Sequence, residues 1–244
     1  MDLHWENTNI QNNQKIKNYC KNHVTAIFCT LNEEKTIGKL IYETKPYVYE
    51  IIVVDGHSSD QTREIAANCG ARVFKDNRKG KGDAIKTGIG LVKSEVIVFI
   101  DADMSHNPND IPKLISPIVS EGADHVIASR PRGGSDELHG DIEKFIRMIG
   151  SDIITLGINY RFGVRITDSQ NGFRALRSNI ARELNLKENI TTIEQEMTIK
   201  TIKKGFKLIE VPVHEFKREH GGSRIKISRV AFRYVYSWLK YLFF

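Results

Sequence analysis

From residue 23 onward the chain alternates short runs that are apolar on both faces with stretches that are apolar on one helical side. His23–Cys29 (HVTAIFC), Glu50–Val54 (EIIVV), Arg72–Phe74, Glu95–Ile100 (EVIVFI) and His125–Ser129 read as strands. Between them, a stretch beginning near Asn32, with Ile37, Leu40 and Ile41 on one side, and the segments Asp60–Asn68, Gly82–Val92 and Pro108–Ser120 read as helices. Doubly apolar strands separated by amphipathic helices predict a mainly parallel sheet covered on both faces. Beyond residue 130 the pattern loosens into a helix around Asp141–Asn159, a turn-rich stretch at 162–175, helices near 178–185 and 193–204, and a strand at Lys207–Val213. The last segment has the clearest period: Ile227, Val230, Ala231, Tyr234, Val235, Trp238, Leu239 and Leu242 recur at helical spacing, with Lys226, Arg229, Arg233 and Lys240 on the other side. Residues 1–22, rich in Asn and Gln and without apolar period, read as a polar tail with a short helix. The predicted organisation is one α/β domain over 23–223, in halves 23–130 and 131–223, followed by an amphipathic helix at 224–244.

Composition narrows the class. With 244 residues, 40% apolar and 27% charged, the chain has the makeup of a folded soluble protein rather than a disordered or fibrous one. No run approaches the ~20 apolar residues of a spanning helix, and the N-terminus lacks the apolar core of a signal peptide. A cytoplasmic location is expected. Cys20, Cys29 and Cys69 have no metal-ligand or redox spacing and read as buried thiols. The net charge is +6, and His214–Phe244 holds seven basic residues against two acidic ones, a surplus of five. The remainder is nearly neutral, which argues against a nucleic-acid binder. A basic stripe beside an aromatic-rich apolar face suits a helix lying in a membrane interface on the cytoplasmic side. The alternative is a helix that packs on its own domain or on a partner subunit.

Ligands of a doubly wound sheet bind beyond the carboxyl ends of its strands, and three predicted strands end in polar residues. The first runs into Cys29-Thr30-Leu31-Asn32-Glu33, the second into Asp55, and the fourth into Asp101-Ala102-Asp103. Two carboxylates one residue apart after a buried strand can share one hard cation, Mg²⁺ or Mn²⁺, whose shell is completed by water and substrate phosphate. Lys79-Gly80-Lys81-Gly82-Asp83 opens a helix and suits a diphosphate or ribose, although neither the P-loop nor the dinucleotide fingerprint is present. Asp168-Ser169-Gln170-Asn171-Gly172-Phe173-Arg174 sets an acid and an arginine around a turn, and Arg218-Glu219-His220-Gly221-Gly222-Ser223-Arg224 forms a basic loop fit for a phosphate. Arg130 and Arg132 could add to that anion site.

Six of these segments, TLNEE, VVDGHSSDQT, GKGDA, DADMSHNP, DSQNGFRA and REHGGSR, stand in the order found in the family 2 glycosyltransferases of GT-A fold. Over about residues 23–228 the chain resembles, within them, the dolichyl-phosphate mannose synthase and polyprenyl-phosphate glycosyltransferase group. The resemblance implies that Leu31, Glu33 and Asp55 lie around the base and ribose, with Lys81, Gly82, Asp101, Ala102 and Asp103 completing the nucleotide-sugar site. It implies a metal on Asp101 and Asp103 with Ser105 nearby, phosphates held by Arg130, Arg218, Ser223 and Arg224, and Asp168 as a catalytic or sugar-positioning acid, with Asp103 counted among the catalytic groups. Glu196 matches an acidic position of the same group. Departures at His57 and at Cys29-Thr30-Leu31 touch the nucleotide pocket.

The implied reaction is inverting transfer of a hexose, mannose from GDP-mannose first, to dolichyl or polyprenyl phosphate at the membrane surface, with a membrane partner subunit as a further expectation. UDP-glucose or UDP-N-acetylglucosamine as donor, a soluble acceptor, and a catalytically inactive membrane-surface subunit are the alternatives.

Overall fold

The computed structural model describes residues 3–136, 142–220 and 227–244. Its strands are β1 (Val24–Thr30), β2 (Glu50–Asp55), β3 (Arg72–Lys75), β4 (Val96–Phe99), β5 (His125–Ser129), β6 (Arg174–Arg177) and β7 (Leu208–Pro212). They form one sheet in the order β3-β2-β1-β4-β6-β5-β7. All neighbours are parallel except β6, which is antiparallel to both β4 and β5. Strand order reverses at β1 and β4, so a crevice opens at their carboxyl ends.

The pleat divides the core. Ala26, Phe28, Val53, Val96 and Val98 face one side, where they meet Ile37, Leu40 and Ile41 of α2 (Ile37–Thr44) and Ile111, Leu114 and Ile115 of α5 (Ile111–Ser120). Ile27, Ile52, Val54, Ile97 and Phe99 face the other side. There they meet α4 (Lys81–Leu91), α8 (Ser178–Glu183) and α9 (Ile193–Lys203). Burial on both faces is why these strands read as continuous apolar runs. The short helices α3 (Thr62–Asn68) and α6 (Arg130–Gly133) follow β2 and β5.

Three features differ from the sequence reading. Residues 3–23 form a long helix, α1 (Leu3–His23), rather than a tail with a short helix. Only Ile16 and Cys20, one turn apart, are buried in its described part, and Tyr19 Oη donates to Glu95 Oε2 at 2.9 Å. Two contacts are too few to show as a period. Second, β6 lay inside the turn-rich stretch and its edge. Its sequence, Arg-Ala-Leu-Arg, has no β-branched residue. It forms because Arg174 is wholly buried, giving Nε to Asn171 O (2.8 Å) and Nη1 to Glu194 O (3.0 Å), while Arg177 bonds Ala123 O and Ile118 O. Since β6 sits between β4 and β5, the halves on either side of residue 130 share one sheet.

The third difference concerns α10 (Ile227–Phe243), which docks on α7 (Ile142–Phe162) and α9. Tyr234, Trp238 and Leu242, three positions of the apolar face read as membrane-facing, pack instead with Tyr241 against Ile154, Ile158, Ile166 and Ile199. Apolar residues cover more than half of this helix's circumference, so one apolar arc is buried and another, with Phe232, Val235, Tyr236 and Leu239, stays exposed. No described helix is long and apolar enough to cross a membrane.

Candidate active site

The crevice floor is built by the loops after β1 and β2. Asp55 ends β2, fully buried, and takes hydrogen bonds from Thr30 Oγ1 (3.0 Å), Ser58 N (2.8 Å), Ser58 Oγ and Arg63 Nη1 (3.3 Å). Four donors fill the lone-pair sites of a carboxylate. Asp55 therefore staples two loops together at the base of the crevice. Leu31 lies exposed on the same rim, and the Glu33 amide donates to Thr62 Oγ1 at 2.8 Å.

The loop before α4 is also committed internally. A Cβ on Gly82 would lie 2.6 Å from Glu188 O, and Gly80 has φ +112° against Asn189 O. These glycines permit close contact between backbones. Lys81 lies between two acids, with Nζ 2.6 Å from Asp101 Oδ1 and 2.9 Å from Glu194 Oε1. Burial opposes its charge, but Asp101 and Glu194 outweigh burial and hold the ammonium above its ordinary range. Asp101 is likewise pulled below the usual carboxylate range: burial would raise it, and Lys81 chiefly overcomes that. A Cβ on Gly172 would fall 2.6 Å from Asp101 Oδ2 and 3.0 Å from Lys81 Nζ, so the 168–174 turn closes tightly over this pair. Glu194 is 3% exposed, and its Oε2 has no hydrogen-bond partner.

Past β4 the chain turns sharply. Ala102 is buried in the core, which leaves only its backbone to a ligand, and Met104 adopts φ +62°, a costly conformation for a side chain of its size. Asp103 Oδ1 accepts the Ser105 amide at 3.0 Å, and its Oδ2 lies 3.2 Å from Arg218 Nη1. The Arg218 segment is a strap: Glu215 N bonds Gly134 O (3.0 Å) and Phe216 N bonds Ser105 O (2.8 Å). Glu219 pairs with Lys39 of α2. Behind the strap, His106 is buried and stacked on Phe173 (ring centroids 5.1 Å apart), and burial lowers its pKa.

Arg130, at the end of β5, grips Asp168 bidentately, Nε to Oδ2 at 2.7 Å and Nη2 to Oδ1 at 2.9 Å. Asp168 also accepts the amides of Arg130, Gln170 and Asn171. It is 2% exposed; burial would raise its pKa, yet Arg130 and these amides hold it below the usual range. A depressed, fully bonded carboxylate is a poor proton acceptor. Asp168 clamps Arg130, whose Nη1 also lies 3.5 Å from Glu215 Oε1.

The structure brings together Asp101, Asp103, Lys81, Arg218, Arg130 and Asp168 around one crevice. Ser223 and Arg224 lie outside the described residues. Glu196, at 0% exposure, takes the amides of Lys187 and Glu188 and the Lys200 ammonium, so it serves packing. Glu194, two residues earlier, is the helix acid that reaches the crevice. Sequence analysis singled out Glu196 and not Glu194, whose pairing partner, Lys81, is 113 positions away. Glu215 was missed as well.

The donor set suits a hard divalent cation only as a shared site. Two aspartates offer oxygen, and among the described residues no group of three or more His, Cys, Asp or Glu is placed to hold a metal alone. Mg²⁺ and Mn²⁺ commonly bind through one or two carboxylates plus substrate phosphates. Each aspartate is now matched by a cationic side chain, which is the charge a metal would bring.

Residues 25–185 match the family described as Glycosyl transferase family 2. A Methanocaldococcus jannaschii protein of unassigned function, MJ1222, is 34% identical over 219 residues, covering 87% of this chain and 89% of its own. A dolichyl-phosphate hexose transferase of Haloferax volcanii is 26% identical over 198 residues, with 80% and 83% coverage. Glucosyl-3-phosphoglycerate synthase from Mycobacterium tuberculosis, crystallised with Mn²⁺, uridine diphosphate and phosphoglyceric acid, superposes with a TM-score of 0.73 at 19% identity, covering 95% of this chain and 82% of that one. The same enzyme has also been crystallised with Mg²⁺ and uridine diphosphate.

Proposed function

The chain belongs to glycosyl transferase family 2 and has its GT-A fold, and on that footing we propose that it transfers a hexose from a nucleoside diphosphate sugar to a polyprenyl or dolichyl phosphate, with inversion at the anomeric carbon. The observation that carries this reading is the gathering of two kinds of charge in one crevice: the Asp101/Asp103 pair past the end of β4, and two arginines, Arg218 ion-paired with Asp103 and Arg130 gripped by Asp168. The first arrangement fits a metal-borne diphosphate, the second an incoming phosphate. The similarity to a dolichyl-phosphate hexose transferase supports a lipid-linked acceptor.

In this reading Leu31 and Glu33 line the nucleotide end, with Asp55 and Gly82 as framework. Asp103 and Asp101, with Ser105 beside them, would hold Mg²⁺ or Mn²⁺, which when bound draws off charge from the leaving diphosphate. Lys81 keeps Asp101 ionised and fixed in place. Arg218 leaves Asp103 for the acceptor phosphate, with Ser223 and Arg224 assisting. Arg130, held in one rotamer by Asp168 and Glu215, aims that phosphate at the sugar face opposite the diphosphate. A phosphate monoester whose second pKa is near 6 is already largely ionised at pH 7, so no strong general base is needed. That agrees with the saturation of Asp168.

The test is a transfer assay with purified protein, Mn²⁺ and a short-chain polyprenyl phosphate. Labelled GDP-mannose, the donor favoured by the resemblance, is compared with UDP-glucose and UDP-N-acetylglucosamine. Label entering the organic phase from one donor, and lost with Asp103→Ala, is the expected result. Metal-dependent nucleotide binding without lipid transfer would reject the lipid acceptor and favour a soluble phosphorylated one.

A further inference from the structure

Seventeen large apolar side chains are exposed among the described residues, and thirteen of them sit on α7, α10 and the terminal Phe244. Scattered exposed apolar residues need no explanation, but a concentration of this kind does. On α7 the exposed set is Ile142, Phe145, Ile146, Ile149, Ile153, Leu156 and Tyr160. At about 100° per residue these seven fall within an arc of roughly 100°, and the stripe runs about 27 Å along the helix. The opposite side of α7, with Ile154, Thr155 and Ile158, is buried on the domain. The helix is therefore apolar on two sides, and only one of them is covered.

α10 repeats the arrangement. Tyr234, Ser237, Trp238, Tyr241 and Leu242 face the domain, while Phe232, Val235, Tyr236, Leu239 and Phe243 are exposed on the other side. Arg233 and Lys240 fall together at the edge of that exposed arc by helical angle. The two helices touch where Gly157 meets Trp238, a contact so close that a Cβ on Gly157 would lie 2.1 Å from the indole ring.

This surface backs onto the crevice. Thr155 Oγ1 and Ser169 Oγ are 2.8 Å apart, and Asn159 brackets Ile166 with bonds of 2.7 and 2.9 Å, tying α7 to the loop that carries Asp168. Gln195 Nε2 donates to Tyr234 O at 3.1 Å, tying α10 to the start of α9 beside Glu194.

We propose that the exposed faces of α7 and α10 together dock the protein on an anionic bilayer surface. Their apolar side chains enter the boundary between headgroups and acyl chains, and Arg233 and Lys240 at the edge of the α10 arc meet the headgroups. Charge selects this occupant over a second copy of the chain. α10 carries three basic residues and no acidic one, so a symmetric pairing through it would set like charges against each other, whereas anionic lipid complements them. Aromatic residues among the exposed set suit the interface as well. The docking draws its purpose from the lipid-phosphate reading, since it would bring the crevice to where such an acceptor lies.

The experiment is co-sedimentation of the full chain with phosphatidylcholine vesicles, with and without phosphatidylglycerol, over a range of salt. Binding that strengthens with phosphatidylglycerol and weakens with salt is expected. Ile149→Ser/Ile153→Ser should weaken partition by about a hundredfold, roughly tenfold per side chain, and Phe145→Ser/Leu156→Ser should do the same. Both variants should retain the wild-type circular dichroism spectrum and metal-dependent nucleotide binding. Wild-type protein that stays in the supernatant with every vesicle overturns the proposal. So does a wild-type dimer that the same substitutions convert to a monomer without any vesicle effect. Vesicle binding combined with no transfer to any polyprenyl phosphate would leave the docking surface standing and reject the acceptor assignment.

Discussion

Lys81→Met removes the cation between Asp101 and Glu194 and replaces it with a side chain of similar length. Lys81 lies 2.6 and 2.9 Å from the two acids, with side-chain exposures of 24% for Lys81, 32% for Asp101 and 3% for Glu194. Breaking a fully buried ionic cluster by deleting one member costs about 3–5 kcal/mol. Partial access of solvent to Lys81 and Asp101 lowers the expected cost here to roughly 2–4 kcal/mol. For a chain of this size each kcal/mol moves Tm by about 2–4 °C, so a fall of roughly 5–15 °C at pH 7 is expected. The pH dependence gives the sharper test. In the wild type Asp101 is depressed, so its stabilisation is present above its unfolded pKa of about 3.9 and is lost as pH falls through the lower folded value. In Lys81→Met the two acids face each other without a cation, Asp101 loses the group that chiefly held its pKa down, and its protonation relieves the repulsion. The Tm deficit should therefore be largest near pH 7 and shrink on acidification. Calorimetry across this range measures it, and Lys81→Met/Glu194→Gln should recover part of the loss. A deficit under about 2 °C, or one that does not change with pH, would refute the argument that these three groups form one charge-compensated cluster.

Asp168→Asn should lower kcat at least about tenfold by releasing Arg130, while the acid limb of the pH–rate profile stays where it is; loss of that limb would instead make Asp168 the base. Arg218→Ala should bind Mn²⁺ as tightly as the wild type or more so in titrations followed by electron paramagnetic resonance, because it removes a competitor for Asp103, yet its KM for the lipid phosphate should rise. Gly172→Ala should weaken metal-dependent nucleotide binding and also lower Tm, since its Cβ would be driven to 2.6 Å from Asp101 Oδ2 and 3.0 Å from Lys81 Nζ, into the charge cluster itself. Gly157→Ala should destabilise by about 1–3 kcal/mol through overpacking on Trp238, visible as a lower Tm and a shifted indole emission.

The first five strands and the helices between them were legible because burial on both faces of a parallel sheet imposes an apolar run at each strand, and the intervening helices keep their period. What the sequence concealed depends on distant partners. β6 is short, carries two arginines and gains its stability from carbonyls at Ile118, Ala123, Asn171 and Glu194. α1 shows no period because its described part commits only two side chains to the core. Among the site residues, Asp101 and Asp103 were legible from their position after a buried strand. Partners were harder to read than positions, since Asp55, Gly82 and Asp168 bond to or pack against residues distant in sequence. Glu194 and Glu196 differ by two positions in sequence, and the turn of α9 alone decides that one meets Lys81 and the other caps a loop.

The same pairing of charges explains how a crevice rich in ions can be stable before any ligand arrives. Asp101 has Lys81, Asp103 has Arg218, and Asp168 has Arg130. An uncompensated carboxylate at these depths would shift toward its neutral form and lose its affinity for a cation. Internal pairing holds Asp101 and Asp168 below the usual carboxylate range, and it makes ligand binding an exchange of partners. The exchange is asymmetric. Lys81 is held by two acids in a closed corner beside Gly172, whereas Arg218 sits on a strap anchored by backbone bonds at Phe216 and by a surface ion pair at Glu219. The strap is the cheaper of the two to move, because a surface ion pair contributes at most about 1 kcal/mol. The strap that carries Arg218 is thus the part of this paired crevice that yields most readily, while Asp101 and Lys81 stay locked beside Gly172.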